Sequence, residues 1–257
     1  MSGAVPTIAI VMPALNERDR IGLTIEAVAD FAARRSIALP VLVGDDGSTD
    51  GTGSHALKLA ARFGLNLEVL RFPHRGKALT VRDAMLDAAG RFRVDYLLML
   101  DADNEISIDQ LDRVEWQLDP STIYIARRVA TANGAIGVPP RPLRRLMSAG
   151  MRTASRLLLG LPFPDTQCGF KLFPRAIVPD LFGQQRTASW IFDAEVLAIA
   201  YRVSGLPVHE IPVTWAPRGA SRVQALTAVP SLLALLGVAA RLRARRYRSV
   251  SRPAAPA

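Results

Sequence analysis

The sequence predicts an α/β fold with a mostly parallel central sheet covered by helices on both faces. Three observations carry this. Short β-rich runs alternate with helical patterns through the first half of the 257-residue chain. The run 96–100 is uniformly apolar, as a buried strand requires. Polar residues suited to ligands follow directly on several of the strands, where ligands sit in open α/β sheets. The length suits one large domain with a full core better than two compact ones.

The elements follow in order. A strand over 8–12 runs into Pro13-Ala14-Leu15-Asn16-Glu17, and a helix is expected over 21–33. A second strand, 41–44, leads into Asp45-Asp46-Gly47-Ser48-Thr49-Asp50, with Asp50 placed to cap a helix over 52–63. A third, 67–70, precedes Arg75-Gly76-Lys77, which opens a helix over 77–89. The fourth strand, 96–100, ends in Asp101-Ala102-Asp103-Asn104-Glu105, followed by a helix over 108–118 and a strand over 123–126. After Arg127 the rhythm breaks in a Gly/Pro-rich stretch, 133–142. A helix of interleaved basic and apolar residues over 144–159 and a mixed segment over 170–212 come next. From residue 223 an apolar stretch gives way to arginines, and the composition past Val250 is that of a disordered tail.

Composition narrows the function. Hydrophobic residues make up 49% and charged residues 21%, which describes a globular chain compatible with lipid contact. The net charge of +9 is concentrated in Arg127, Arg128, Arg141, Arg144, Arg145, Arg152 and Arg156, and in the arginines of 241–248. Basic segments attract nucleic acid, anionic lipid or phosphorylated substrates. With aromatics at 6% and no alternation of basic and aromatic residues, no nucleic-acid partner is expected. The single Cys168 excludes an intramolecular disulfide, and the N-terminus enters a strand without a charged leader, so the chain reads as intracellular. No stretch supplies the roughly 20 apolar residues of a spanning helix. The nearest, 225–240, is short and carries Pro230.

In extended chain, side chains two apart share a face, so Asp101, Asp103 and Glu105 can converge. Carboxylates placed together repel and lose hydration, which Mg²⁺ or Mn²⁺ with a phosphate oxygen would offset; a solvated acidic turn is the alternative. Asp45 and Asp46 can accept hydrogen bonds from a nucleobase or ribose, with Gly47 permitting close backbone approach, or they can build an ordinary loop. Two further strands ending in the same corner favour the ligand. Arg75 and Lys77 can meet a phosphate at the helix N-terminus or form a solvated basic turn. Neither a Gly-x-Gly-x-x-Gly fingerprint nor a Gly-Lys-Ser/Thr loop is present, and His55, His74 and His209 lack metal-ligand spacing.

Taken in order, the segments 13–17, 45–50, 75–77, 101–103 and Asp165-Thr166-Gln167-Cys168-Gly169-Phe170-Lys171 resemble the motifs of family 2 glycosyltransferases. Within that family they are most similar to the polyprenyl-phosphate sugar synthases, relatives of dolichol-phosphate mannose synthase and dolichyl-phosphate glucosyltransferase. The resemblance spans about 8–222. It implies a GT-A fold over 1–222, followed by the apolar, then basic tail 223–257. It also implies a nucleotide-sugar donor, Mg²⁺ or Mn²⁺, and inversion at the anomeric carbon. Residue by residue, it puts Glu17 and Asp46 at the nucleoside, with Pro13, Leu15, Asp45, Gly47 and Ala102 in the same substrate-binding set and Arg75 and Lys77 at phosphate. Asp101, Asp103 and Glu105 would hold the metal and diphosphate, Glu105 standing where some relatives have Gln. Arg127, and Arg144 or Arg145, would meet the acceptor phosphate. Gln167 and Lys171 are implied contacts to sugar or diphosphate, and Cys168 a small buried residue. Asp193, in Phe192-Asp193-Ala194-Glu195, either contacts sugar hydroxyls or caps a helix. The segment 215–222 resembles a loop that covers the donor diphosphate, with Arg218 and Arg222 as its cations.

The expected reaction moves a hexose to polyprenyl phosphate, with UDP-glucose favoured over GDP-mannose as donor. A phosphate monoester loses its second proton near pH 6, so such an acceptor needs no general base. Asp103, Arg127 and Asp193 are the residues expected to carry the chemistry. A hydroxyl acceptor is the alternative and would call on Asp193 or Asp165 as base; a non-catalytic nucleotide-sugar-binding protein is the alternative of another class. Because a polyprenyl chain stays in the bilayer, the chain is expected at the cytoplasmic face of the membrane. Residues 225–240 and the basic tail would serve as an interfacial anchor, or else form a core-packed terminal helix. The expectation leaves room for a small membrane-protein partner or a homo-oligomer.

Overall fold

The computed structural model describes residues 6–113, 118–129, 142–216 and 228–253. Along the chain it runs β1 (Ile8–Ala14), α1 (Arg18–Arg35), β2 (Val41–Asp45), α2 (Thr52–Phe63), β3 (Leu67–Arg71), α3 (Lys77–Arg91) and β4 (Tyr96–Leu100). A 3₁₀ turn (Ile108–Arg113), β5 (Ile123–Val129), α4 (Pro142–Leu159), β6 (Phe170–Pro174), α5 (Val178–Phe182) and α6 (Phe192–Ala198) follow. A π-helical turn (Ile199–Val203), β7 (Val208–Thr214) and α7 (Ala228–Arg243) complete it.

The strands form one seven-stranded sheet in the order β3-β2-β1-β4-β6-β5-β7. β1 pairs in parallel with β2 and β4, and β5 in parallel with β7. Only β6 runs against its neighbours, with Leu98 opposite Leu172 and Leu100 opposite Phe170. β1, β2 and β4 are buried along their whole length, as central strands covered on both faces must be. Alternate side chains feed two cores. Ile8, Ile10 and Met12 pack with Ile21, Ile25, Val28 and Phe31 of α1 on one face. Ala9, Val11, Leu97 and Met99 pack with α3, α5, α6 and α7 on the other.

Helix α1 buries Ile21, Thr24, Ile25, Val28 and Phe31, a stripe at helical spacing, and stops where Ser36 takes a left-handed conformation. α2 ends the same way at Gly64, whose positive φ costs glycine nothing. The expected helix over 108–118 is corrected: its described part is the 3₁₀ turn 108–113, and 114–117 lie outside the described residues. Ile108 and Leu111 are three apart, a spacing that buries one edge of a 3₁₀ turn as well as one face of an α-helix.

The C-terminal segment is docked on the domain. Leu235, Val238 and Ala239 of α7, then Tyr247 and Val250 beyond it, join the core on the α3 side. Residues 251–253 are described and 254–257 are not. α7 also keeps an outward apolar strip of Val229, Leu232, Leu233 and Leu236. No helix among the described residues is long and apolar enough to cross a membrane.

Candidate active site

The carboxyl ends of β1, β2 and β4 bring three of the sequence's polar segments to one edge of the sheet. At β1, Pro13 is buried opposite Gly44, and Leu15 leads into Asn16, whose φ is positive. Glu17 ion-pairs with Arg20 at 2.7 Å, and its backbone N–H donates to Thr52 Oγ1 at 2.9 Å. At β2, Asp45 Oδ1 accepts the Ser48 N–H at 2.8 Å. Asp46 is 2% exposed and accepts from the N–H groups of Arg75 and Gly76 and from Thr80 Oγ1, with His74 Nδ1 at 2.9 Å. Both oxygens of Asp46 hold the 74–76 loop in place. Gly47 is held at φ +78°, and a Cβ there would lie 2.9 Å from His74 N, so only glycine fits against that loop.

Arg75, expected at phosphate, donates to Asp83 at 2.6 Å while its guanidinium lies over Phe72. Lys77 turns into the site. Its Nζ is 2.5 Å from Asp101 Oδ1 and 5.8 Å from the centre of the Trp190 ring. Burial would lower its pKa, but the charge and hydrogen bond of Asp101, helped by Asp193 and Asp103, outweigh burial and raise it.

The acidic turn after β4 does not gather its carboxylates at one point. Asp101 faces Lys77, and Asp103 Oδ1 accepts the Glu105 N–H at 3.1 Å. Glu105 Oε2 accepts from Trp215 Nε1 at 2.9 Å, and its carbonyl accepts from Ala216 N. Three alternating carboxylates share a face only while the chain stays extended, and here Asn104 takes a left-handed conformation that turns Glu105 away. Among the described residues no group of three carboxylate, histidine or cysteine side chains is placed to hold a metal ion, and Glu105 is engaged by Trp215. Asp101 and Asp103 remain adjacent, and burial together with Asp101 and Glu105 raises the Asp103 pKa. Asn104 Oδ1 is buried beside them with no hydrogen-bond partner in the described structure. Two carboxylates and an unmatched oxygen fit a hard cation that takes its remaining ligands from phosphate and water. Thr24 Oγ1 fastens the turn by donating to the carbonyl of the buried Ala102.

The antiparallel β6 completes the site. Gly169 accepts from the Asp101 N–H, and a Cβ on Gly169 would fall 1.9 Å from Asp101 Oδ2. Gln167 is exposed, whereas Lys171 is 0% exposed. Its ammonium donates to Asp193 Oδ1 at 2.7 Å and to the Cys168 carbonyl. Lys171 thus braces Asp193. Asp193 lies in the first turn of α6, where burial raises its pKa against the pull of Lys171 and Lys77. Cys168 is a buried thiol pushed up to about 12 by burial, as befits packing rather than nucleophilic chemistry.

Successive β5 residues face opposite sides, so Arg127 and Arg128 part company. Arg127 lies on the α4 side, near enough to Glu210 to oppose the rise that burial causes in its pKa. Arg128 forms a two-pronged pair with Asp165 at 2.7 and 2.9 Å and stacks over Trp215. The sequence reading missed Arg128 and Trp190, although Arg128 adjoins the chosen Arg127 and Trp190 stands two residues before the 192–195 motif. α4 begins at Pro142, but the side chains of Arg144 and Arg145 lie outside the described part, as do Arg218 and Arg222.

Comparison with known proteins matches this arrangement to a family. The profile described as glycosyl transferase family 2 matches residues 9–182. Dolichyl-phosphate beta-glucosyltransferase of Saccharomyces cerevisiae is 30% identical over 226 residues, covering 81% of this chain and 66% of that protein. The Drosophila melanogaster protein of the same name is 33% identical over 224 residues, with 81% and 66% covered. The chain thus spans just under two thirds of the length of these relatives. Among solved structures, glucosyl-3-phosphoglycerate synthase from Mycobacterium tuberculosis, in complex with Mn²⁺, UDP-glucose and phosphoglyceric acid, superposes with a TM-score of 0.63 at 17% identity. That match covers 92% of this chain and 81% of the other. Mannosyl-3-phosphoglycerate synthase from Rubrobacter xylanophilus gives a TM-score of 0.57 at 18% identity, covering 98% and 79%. These likenesses establish the GT-A fold.

Proposed function

Because the chain belongs to glycosyl transferase family 2, we propose that it transfers a hexose, glucose from UDP-glucose in the first instance, to polyprenyl phosphate. One observation carries the choice of acceptor: Asp165, a carboxylate that a hydroxyl acceptor would call on as base, is already committed. Asp165 is bound by Arg128, which outweighs burial and holds its carboxyl below the usual range, making it a weak proton acceptor. Asp193 has one oxygen held by Lys171. A phosphate acceptor arrives as an oxyanion and asks for neither. The glucosyltransferase names of the relatives support the sugar, and the UDP complexes of the structural neighbours support the donor.

In this reading the strand-end loops of β1 and β2 take the nucleoside, and Lys77 leaves Asp101 for the donor diphosphate. Asp101 and Asp103 would hold Mg²⁺ or Mn²⁺, which when bound neutralises charge on the departing diphosphate. Asp193, fixed by Lys171, offers its second oxygen to a sugar hydroxyl. Arg127, with Arg144 or Arg145, receives the acceptor phosphate, for which a guanidinium fork is suited. Arg218 and Arg222 would close over the diphosphate. Inversion follows from direct displacement, with the acceptor oxyanion opposite the leaving group.

The lipid acceptor calls for membrane contact, and the outward strip Val229, Leu232, Leu233 and Leu236, flanked by the exposed Arg243, is a surface suited to an interface. Labelled UDP-glucose, polyprenyl phosphate and Mn²⁺ or Mg²⁺ should yield labelled lipid. Tight UDP-glucose binding without labelled lipid, for any acceptor, would instead favour a binding protein. Leu232→Ser with Leu233→Ser should weaken partitioning to anionic liposomes; deleting the tail is a poorer test, because Tyr247 and Val250 belong to the core.

A further inference from the structure

Helix α6 is gripped from two sides. On one, Asp193 meets Lys171. On the other, two residues along and so about 200° around the helix, Glu195 is 0% exposed and accepts four hydrogen bonds. Its Oε2 takes the N–H groups of Arg186 and Thr187 at 3.0 and 2.8 Å. Its Oε1 takes Tyr247 Oη at 2.5 Å and Arg241 Nη2 at 3.2 Å, and Arg241 Nε donates to Tyr247 Oη at 2.8 Å. The segment that follows α7 continues over the same region. Arg248 N donates to Gln184 Oε1, Gln184 Nε2 donates back to the Arg248 carbonyl, and Val250 N donates to Ser204 Oγ beside the π-helical turn.

The turn held by Glu195 leads straight to Trp190, which lies over Lys77, and to Asp193. Gln185 ties the same turn to the carbonyl of Ala78, next to Lys77. A buried carboxylate with four donors is rigid only while all four are present; losing one leaves charge that burial disfavours. Two of the four come from a segment about fifty residues later in the chain.

We infer that Arg241 and Tyr247 are positioning residues: through Glu195 they strap the 184–193 segment so that Trp190 and Asp193 face the donor pocket. The C-terminal arm is then part of the site's machinery as well as its proposed route to lipid. The inference rests on the proposed donor site only in its kinetic arm.

The test compares the full chain with Tyr247→Phe, which keeps the buried ring, and with Arg241→Gln. Hydrogen–deuterium exchange should accelerate at least about tenfold in peptides covering 184–196 and stay unchanged over 8–45. In the glucosyl-transfer assay, kcat should fall about tenfold with the donor KM changed by less than about threefold, the pattern of lost alignment rather than lost binding. Arg241→Lys should restore part of both. Unchanged exchange at 184–196, equal acceleration across both regions, or faster local exchange with wild-type kcat would each overturn the inference. If the wild-type chain transfers no hexose, the functional reading fails by itself and the exchange result alone decides the strap.

Discussion

The two halves of the sheet treat charge differently. On the β1, β2 and β4 side, carboxylates stand at the ends of parallel strands, and loop N–H groups hold most of them: Ser48 for Asp45, Arg75 and Gly76 for Asp46, Glu105 for Asp103. On the β6, β5 and β7 side each buried carboxylate has its own cation: Lys171 for Asp193, Arg128 for Asp165, Arg241 for Glu195. The first half keeps an acidic cluster whose charge invites a ligand. The second is built of neutralised struts that aim it.

The comparison breaks most easily at a strut. Lys171→Met leaves Asp193 buried without its cation and should cost about 3–5 kcal/mol, read as a lowered denaturation midpoint. Lys171→Met combined with Asp193→Asn should recover much of that loss; failure to recover would mean that the pair is not the unit of stability. Asp103→Asn should act the other way. Transfer should drop by roughly 10²–10³-fold, the scale of losing one preorganised charge-stabilising group. Thermal stability should hold or rise, because burial and its neighbours already disfavour that carboxylate. Full transfer in Asp103→Asn would remove it from the chemistry.

Gly169→Ala tests the seam between the halves. The added methyl falls on Asp101 Oδ2, so an overpacking cost of about 1–3 kcal/mol is expected, together with weaker donor binding by titration calorimetry. The pH response separates the halves more gently. Arg128 holds the folded-state pKa of Asp165 below its unfolded value. The pair's contribution is therefore complete above about pH 4 and lost as pH falls through the folded value. Asp165→Asn should flatten the acid limb of the stability curve; an unchanged limb would assign acid sensitivity elsewhere. The smallest effect is expected from Arg91→Ala, whose pairs with Asp87 and Glu68 lie at the surface and contribute about 0–1 kcal/mol.

What the sequence determined was the first half. Periodicity placed β4 and α2 at their observed bounds, and the rule that ligands gather beyond strand ends located the corner where Asp101 and Lys77 meet. These features are local: a strand's apolar run and the turn after it lie within a few residues of each other. The motif 192–195 was legible too, but not what its acidic residues do. Only the tertiary structure decided that Lys171 faces inward to Asp193, that Glu105 turns to Trp215, that Gly169 must lack a side chain for Asp101, and that the arm bearing Tyr247 closes on Glu195. Each pairs residues brought together by sheet order or by the docking of α7. A lysine's spacing along the chain carries no information about which buried carboxylate will neutralise it; burial sets that need, and packing alone selects the partner.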